Sequence, residues 1–323
     1  MKIISANEIL EAAVCIASGG LVAFPTETVY GLGANALDPL AVARIFEAKQ
    51  RPTFDPLIVH IADIKELDNL FAAPVDKLVY RIAEAFMPGP LTIVHRKAAR
   101  VPDIVTAGLE NVAVRMPSNP VARKLIKMAK TPIAAPSANR FGLLSPTSYR
   151  HVEKQNMNID YLIAEDDTCS LVGIESTVVM IENGKCNILR PGIITAEDIM
   201  RKIPDIEVSI SKQNEKISSP GLLNSHYSPL KPLYFYNNEE QLPENSALIL
   251  HHKSKKEIIT KRIIYTSESG NLLETAAHLF ECLHNVEDDT EIKQIFIAKV
   301  DEIGIGLSIM DRLKKATHQY CKV

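Results

Sequence analysis

Two short segments of this chain combine the residue types that bind phosphate. Lys49-Gln50-Arg51-Pro52 directly follows a helix-like stretch, and Pro136-Ser137-Ala138-Asn139-Arg140 directly follows a strand-like one. A lysine offers a compact positive charge and an arginine a planar fork of donors, a combination suited to a triphosphate. Ser137 and Asn139 are placed to cap a following helix while leaving its N–H groups open to an anion. Plainer roles suit the same residues: cations at a helix C-terminus complement its dipole, and serine and asparagine are common structural caps. Arg115 asks for more, because it closes the apolar strand Val112-Ala113-Val114 and needs a partner there; a small carboxylate is a good one. His60 also ends an apolar run, where a satisfied neutral imidazole is the ordinary state.

Several familiar signatures are missing. No G-x-x-x-x-G-K-[ST], H-E-x-x-H or G-x-S-x-G string occurs, so phosphate is not held by a P-loop. Gly31-Leu32-Gly33-Ala34-Asn35-Ala36 has the outline of a dinucleotide fingerprint, with Asp55 about twenty residues on. Its position argues against that reading. The second glycine of such a site opens a helix, whereas Asp38-Pro39 puts the helix start after the string.

The elements that must hold these residues alternate. Ile9, Leu10, Ala13, Val14 and Ala17 recur at helical spacing before a Gly19-Gly20 stop, and a strand Leu21 to Phe24 follows. Asp38 caps and Pro39 opens a helix running to about Lys49. Further on come a strand Leu57 to Ile61, a helix Val75 to Phe86, strands Leu91 to His95 and Val112 to Arg115, a helix Pro120 to Met128 and a strand Pro132 to Ala135. This rhythm predicts an α/β sheet. Strand-like runs at Ser176–Met180 and Cys186–Arg190 flank Asn183-Gly184, a hairpin signal, so part of the sheet is antiparallel. A helix capped by Thr195 closes this unit near Val208, and a polar linker leads to a second alternation beyond Pro232. There the pattern predicts strands at Leu233–Tyr236, Ala247–Leu250 and Ile295–Ala298 and helices at Leu272–Leu283 and Gly306–Lys315.

Composition narrows the function classes. With domains of roughly 100–200 residues, 323 residues that are 46% hydrophobic and 23% charged predict a globular chain of two domains. Lys+Arg 36 against Asp+Glu 39 gives a net charge of −3, without the basic excess of a chain that grips nucleic acid. The five cysteines form no CxxC pair and no zinc-like group, which predicts reduced thiols in the cytosol and no protein-bound metal. Glu8 and Glu11 interrupt the N-terminal apolar stretch, so an export signal is not expected. Nor does any run approach the ~18 apolar residues of a membrane span.

Taken in order, six groups of segments resemble the threonylcarbamoyl-AMP synthase, or YrdC-like, family. They are Phe24 to Gly33; Lys49-Gln50-Arg51-Pro52 with Pro56-Leu57; Met87-Pro88-Gly89-Pro90-Leu91-Thr92; Val114-Arg115-Met116-Pro117; Ala135-Pro136-Ser137-Ala138-Asn139; and Ser176-Thr177-Val178-Val179 with Leu189-Arg190-Pro191-Gly192. Ser219-Pro220-Gly221, His226-Tyr227-Ser228-Pro229 and Gly304 to Lys315 are similar to the long, two-domain members.

The resemblance implies a twisted open mixed sheet in a YrdC-like catalytic domain at 1–208, a linker or lid at 209–231, and a smaller Rossmann-like α/β domain at 232–323. It implies synthesis of threonylcarbamoyl-AMP and pyrophosphate from L-threonine, bicarbonate and ATP with Mg2+. The product would pass in the cytoplasm to a separate transferase that modifies tRNA. By carry-over, Arg51, Asp55, Ser137, Asn139, Ser145, Arg190 and Tyr227 would contact ATP, while Thr28, His60, Arg115 and Ser176 would surround threonine. Lys49 and Arg51 would be the catalytic pair, with Lys49 on the phosphates or the carbamate. The stretch 209–229, bearing Tyr227, would act either as a lid that excludes water or as a passive tether. Two other readings are a carbamoyl-transferring enzyme with another acceptor and an RNA-binding module. The second would call for a basic face interleaved with aromatics, and the chain has 6% aromatics and no Trp.

Overall fold

The computed structural model describes residues 1–165, 171–211, 226–238, 241–254 and 258–320. Most of the segment expected to form a lid, 212–225, lies outside these described residues. In chain order the first sheet contains β1 (Lys2–Ser5), β2 (Val22–Phe24), β3 (Gly31–Asn35), β4 (Ile58–His60), β5 (Leu91–Arg96) and β6 (Asn111–Arg115). It continues with β7 (Ile133–Ala134), β8 (Tyr161–Ala164), β9 (Thr177–Glu182), β10 (Lys185–Arg190) and β11 (Val208–Ile210). Across the sheet they run β1-β8-β2-β3-β7-β4-β6-β5-β9-β10-β11. Parallel pairs such as β4 with β6 alternate with antiparallel ones such as β5 with β6, giving the mixed sheet that the sequence predicts. Asn183 and Gly184, both at positive φ, make the tight turn between β9 and β10.

Helices cover both faces. On one, Ile9–Ala17 packs against Pro120–Ala129, burying Ile9, Ala12, Ala13 and Ile16. Leu10 and Val14 stay exposed, so the inward stripe is rotated from the spacing that announced this helix. On the other face lie Pro39–Lys49, Lys77–Phe86 and Ala196–Lys202. A buried Ile or Val side chain there contributes about 1.5–3 kcal/mol. Asp38 Oδ1 accepts from the Leu40 N–H at 2.9 Å and starts the Pro39–Lys49 helix as its sequence requires.

The glycine string Gly31 to Asn35 is a strand, not a phosphate-binding turn. A Cβ on Gly33 would lie 2.6 Å from Ile133 Cγ2 and 2.7 Å from Phe24 Cε1, so glycine lets three strands approach closely here. The expected helix after Ser137 and Asn139 does not form. Asn139 Nδ2 instead donates to Arg140 O and Leu143 O, closing a loop. The next helix is Tyr149–Lys154, capped by Ser148. Side-chain bonding to nearby carbonyls competes with helix formation, and Gly142 at φ +82° and Pro146 do not favour a helix. β11 pairs with β10 at Cys186–Ile188, carrying the first sheet two residues past the boundary expected at 208.

The second sheet holds β12 (Leu233–Phe235), β13 (Ser246–Leu250), β14 (Arg262–Tyr265) and β15 (Gln294–Ile297), all parallel in the order β12-β15-β13-β14. Helices Leu272–Asp288 and Ile305–Thr317 pack on it. Val29, Leu144 and Ile174 of the first unit join the same buried cluster, so the contact between the units is core-like. At Gly173, φ +71°, a Cβ would lie 2.2 Å from Ala277 O, which fits only glycine against that helix.

Candidate active site

A pocket opens where several strands and loops of the first sheet end. At one side stand Thr28, in the turn between β2 and β3, His60 at the end of β4, Arg115 at the end of β6 and Ser176 just before β9. At the other stand Arg51 after the Pro39–Lys49 helix, Ser137 after β7, Arg190 at the end of β10, and Tyr227.

Register explains the first group. His60 and Arg115 are partners across β4 and β6, and Arg115 pairs with Thr92 across β6 and β5. Arg115 is buried, and each of its three nitrogens makes one bond: Nη2 to Glu27 Oε1 at 2.7 Å, Nη1 to Thr28 Oγ1 at 2.9 Å, and Nε to Gly89 O at 3.2 Å. Burial pushes the Glu27 carboxyl up, but the charge and hydrogen bond of Arg115 outweigh it and hold the group below its ordinary value. Burial, helped by the Arg115 charge, pushes His60 down to about 3, so its imidazole is neutral. Its Nδ1 is buried without a hydrogen-bond partner. Such an atom is costly unless a ligand satisfies it.

Chain reversal explains the second group. Gln50 sits in the left-handed region at φ 53°, and the Arg51 N–H returns to Phe46 O at 2.9 Å, ending the helix so that Lys49 and Arg51 both turn inward. Arg51 pairs with Asp55 at 2.8 Å and donates to Pro56 O at 2.9 Å. Lys49 Nζ donates to Ser137 O at 2.5 Å and to Asn139 O, so it anchors the loop that carries Ser137. Burial first, then the Arg51 charge, drives Lys49 well below its ordinary range. Arg190 donates to Ser176 O and Oγ, and Ser176 Oγ is 2.8 Å from Thr92 Oγ1, which joins the two groups into one network.

His226 and Tyr227 complete the wall. Tyr227, at φ 63°, is 1% exposed, with its ring 5.7 Å from Phe280 of the second unit. Lys49, Asp55, Asn139 and Ser145 do not line the pocket; they stand behind it, buried. Ser145 Oγ donates to Glu175 Oε1 at 2.5 Å, and Glu175 itself lines the pocket. Three residues go beyond those expected from the sequence: Glu175 and His226, which line the pocket, and Glu27, which pairs with Arg115 behind it. Glu27 lies in the conspicuous Pro25-Thr26-Glu27-Thr28 turn, and a buried arginine's demand for an anion is the signal that could have found it.

The family model Sua5_yciO_yrdC, which carries the description "Telomere recombination", matches residues 14–192. The model "Threonylcarbamoyl-AMP synthase, C-terminal domain" matches residues 194–317. A threonylcarbamoyl-AMP synthase of Pyrococcus abyssi is 40% identical over 319 residues, covering 95% of this chain and 93% of the relative. The Bacillus subtilis protein of the same name is 39% identical, covering 96% and 92%. A crystal structure of P. abyssi Sua5 complexed with L-threonine superposes with a TM-score of 0.86 at 36% identity, covering 98% of both chains. Over both of its units, then, this chain belongs to the threonylcarbamoyl-AMP synthase family.

Proposed function

We infer that the chain makes L-threonylcarbamoyl-AMP and pyrophosphate from L-threonine, bicarbonate and ATP. The observation that carries this reading is one continuous pocket with two chemistries: Arg115, held from behind by Glu27, beside hydroxyls at one end, and Arg51 and Arg190 at the other. Support also comes from the P. abyssi relative, which was solved with L-threonine.

Arg115 takes the threonine carboxylate through its planar fork, helped by the hydroxyls of Thr28 and Ser176. The unpartnered His60 Nδ1 meets a polar atom of the amino acid, while Glu27, outside the pocket lining, holds Arg115 in place. The ammonium gives its proton to bulk solvent, and the free amine joins bicarbonate, losing water, to give a carbamate. A carbamate oxygen then attacks the α-phosphorus of ATP; the bond to the β-phosphate breaks and pyrophosphate leaves. No protein nucleophile is needed, and the chain's part is to align the reactants and stabilise charge on the leaving group.

Arg51 and Arg190 face the phosphates, with Ser137 and Tyr227 completing the ATP contacts. Lys49, Asp55, Asn139 and Ser145 act from behind: Lys49 and Asn139 shape the Ser137 loop, Asp55 aims Arg51, and Ser145 holds Glu175. Magnesium enters as part of the substrate, on the ATP phosphates. Asp55 and Glu175, carboxylates at this end, are already engaged by Arg51 and Ser145, and no metal-holding cluster exists among the described residues.

The product is a labile mixed anhydride, and it passes to a separate transferase acting on tRNA. A net charge of −3 suits a small-molecule activator that does not itself grip nucleic acid. A cytoplasmic location suits ATP, threonine and bicarbonate as substrates. No helix among the described residues is long and apolar enough to cross a membrane.

Purified protein given ATP, Mg2+ and bicarbonate, with and without L-threonine, tests this reading. The expected result is pyrophosphate release that depends on both threonine and bicarbonate, with threonylcarbamoyl-AMP seen by mass spectrometry. ATP binding without that product would return the case to another carbamoyl acceptor.

A further inference from the structure

We propose that Arg312, on the second unit's helix Ile305–Thr317, is a positioning residue for the Arg51–Arg190 end of the pocket. This deepens the functional reading above and rests on it. Arg312 has no exposed surface and is the bulkiest of the fully buried side chains. A guanidinium in that position is costly unless its donors are used.

They are used across the boundary between the units. Nε donates to Glu175 Oε2 at 3.1 Å, Nη2 to Glu175 O at 3.2 Å, and Nη1 to Pro191 O at 2.5 Å. On its own helix, Asp311 Oδ2 accepts from Nη1 at 3.0 Å. The first-unit acceptors are not scattered: Glu175 immediately precedes Ser176, and Pro191 immediately follows Arg190. Because Arg190 itself donates to Ser176, one fork clamps both backbone segments that this pair joins. Its guanidinium also lies 5.8 Å from the Tyr227 ring centroid. One turn earlier on the helix, Ser308 Oγ donates to Gly192 O at 2.6 Å, tying the same segment.

Charge gives the clamp a second consequence. Glu175 lines the pocket, and an uncompensated carboxylate there would repel a polyphosphate. Arg312 cancels that charge from behind and leaves Arg190 facing the substrate. A helix held only by apolar packing would associate at least as cheaply. The buried fork is accounted for by what it holds.

Wild type is compared with Arg312→Gln and Arg312→Lys, each checked by circular dichroism and melting temperature. The readings are kcat, KM for ATP, and L-threonine affinity by calorimetry. Glutamine leaves Glu175 uncompensated: KM for ATP rises about tenfold or more, while threonine affinity changes less than about threefold. Lysine keeps the charge but cannot span the acceptors, and its KM falls between. Adding Glu175→Gln to Arg312→Gln removes the stray charge and recovers much of the KM for ATP, a rescue that damaged packing would not give. Lys154→Ala, which cuts an exposed ion pair with Asp288 at the same boundary, leaves KM unchanged. If the glutamine variant fails to fold, the lysine variant carries the comparison. A folded variant with wild-type KM, or a double variant without rescue, overturns the proposal. Failure of wild type to release threonine-dependent pyrophosphate overturns the functional reading instead, and affinity for a non-hydrolysable ATP analogue in the same variants then decides the role of Arg312.

Discussion

The two ends of the pocket balance charge in different ways. Around Arg115 the balance is local and lies within the first unit: Glu27 and Thr28 accept from its fork, and the neighbouring His60 is neutral. Around Arg51 and Arg190 cations crowd together. Burial, then the charges of Arg51 and Lys49, drive His226 well below its ordinary value, and Lys49 is lowered in the same way. The second unit backs this end through Tyr227's contact with Phe280 and the bond from His284 Nε2 to Ser145 O at 3.1 Å. One end is therefore charge-balanced by first-unit groups alone, while the other is rich in cations and leans on the second unit.

Breaking the balanced end has the largest expected effect. Arg115→Ala abolishes threonine-dependent turnover and leaves Glu27 buried and unpaired, costing about 3–5 kcal/mol of stability. Denaturant unfolding checks the second figure, and Glu27→Gln added to Arg115→Ala recovers stability but not threonine binding. At the cationic end, Arg51→Ala raises KM for ATP roughly 10- to 100-fold, as expected for loss of a charge-assisted contact of about 1.5–3 kcal/mol. Steady-state kinetics with ATP varied at saturating threonine measures it.

Acid separates the ends less directly, through the second unit. His151 and His284 stack with ring centroids 3.8 Å apart at the boundary. Burial pushes His151 down to about 3, with a further push from His284, and pushes His284 down to about 4. Both values lie below the ~6.5 of an exposed histidine, so the unfolded chain binds more protons than the folded one. The stabilisation is full above about pH 6.5 and is lost as pH falls toward the folded values, on the order of 3 kcal/mol for His284. Melting temperature against pH should fall below pH 6.5, and His284→Gln should flatten that slope. The smallest effect belongs to Lys154→Ala: both partners of this pair are about half exposed, and stability changes by about 1 kcal/mol or less in the same melts.

Sequence reading reached what chain-local rules decide. Asp38-Pro39 marks a real helix start and Asn183-Gly184 a real hairpin, while Arg115, expected to meet a small carboxylate, has the chain's own Glu27 as its partner. It missed partners set only by tertiary contact, such as Glu27, 88 residues from Arg115, and Glu175, 137 residues from Arg312. Elements with weak local signals were also missed: β3, rich in glycine for close packing, and β14, an edge strand with little fully buried surface. Serine and asparagine at 137 and 139 suit a helix cap and a loop equally; the carbonyls that Asn139 meets lie in a loop whose shape the composition does not reveal.

The central claim is that Arg115 serves threonine and Arg51 serves ATP within one pocket. Calorimetric titration of L-threonine into wild type, Arg115→Ala and Arg51→Ala tests it most directly. The expected result is that Arg115→Ala loses threonine binding while Arg51→Ala keeps it within about threefold. Equal loss in both variants, or binding retained by Arg115→Ala, would contradict the division of the pocket.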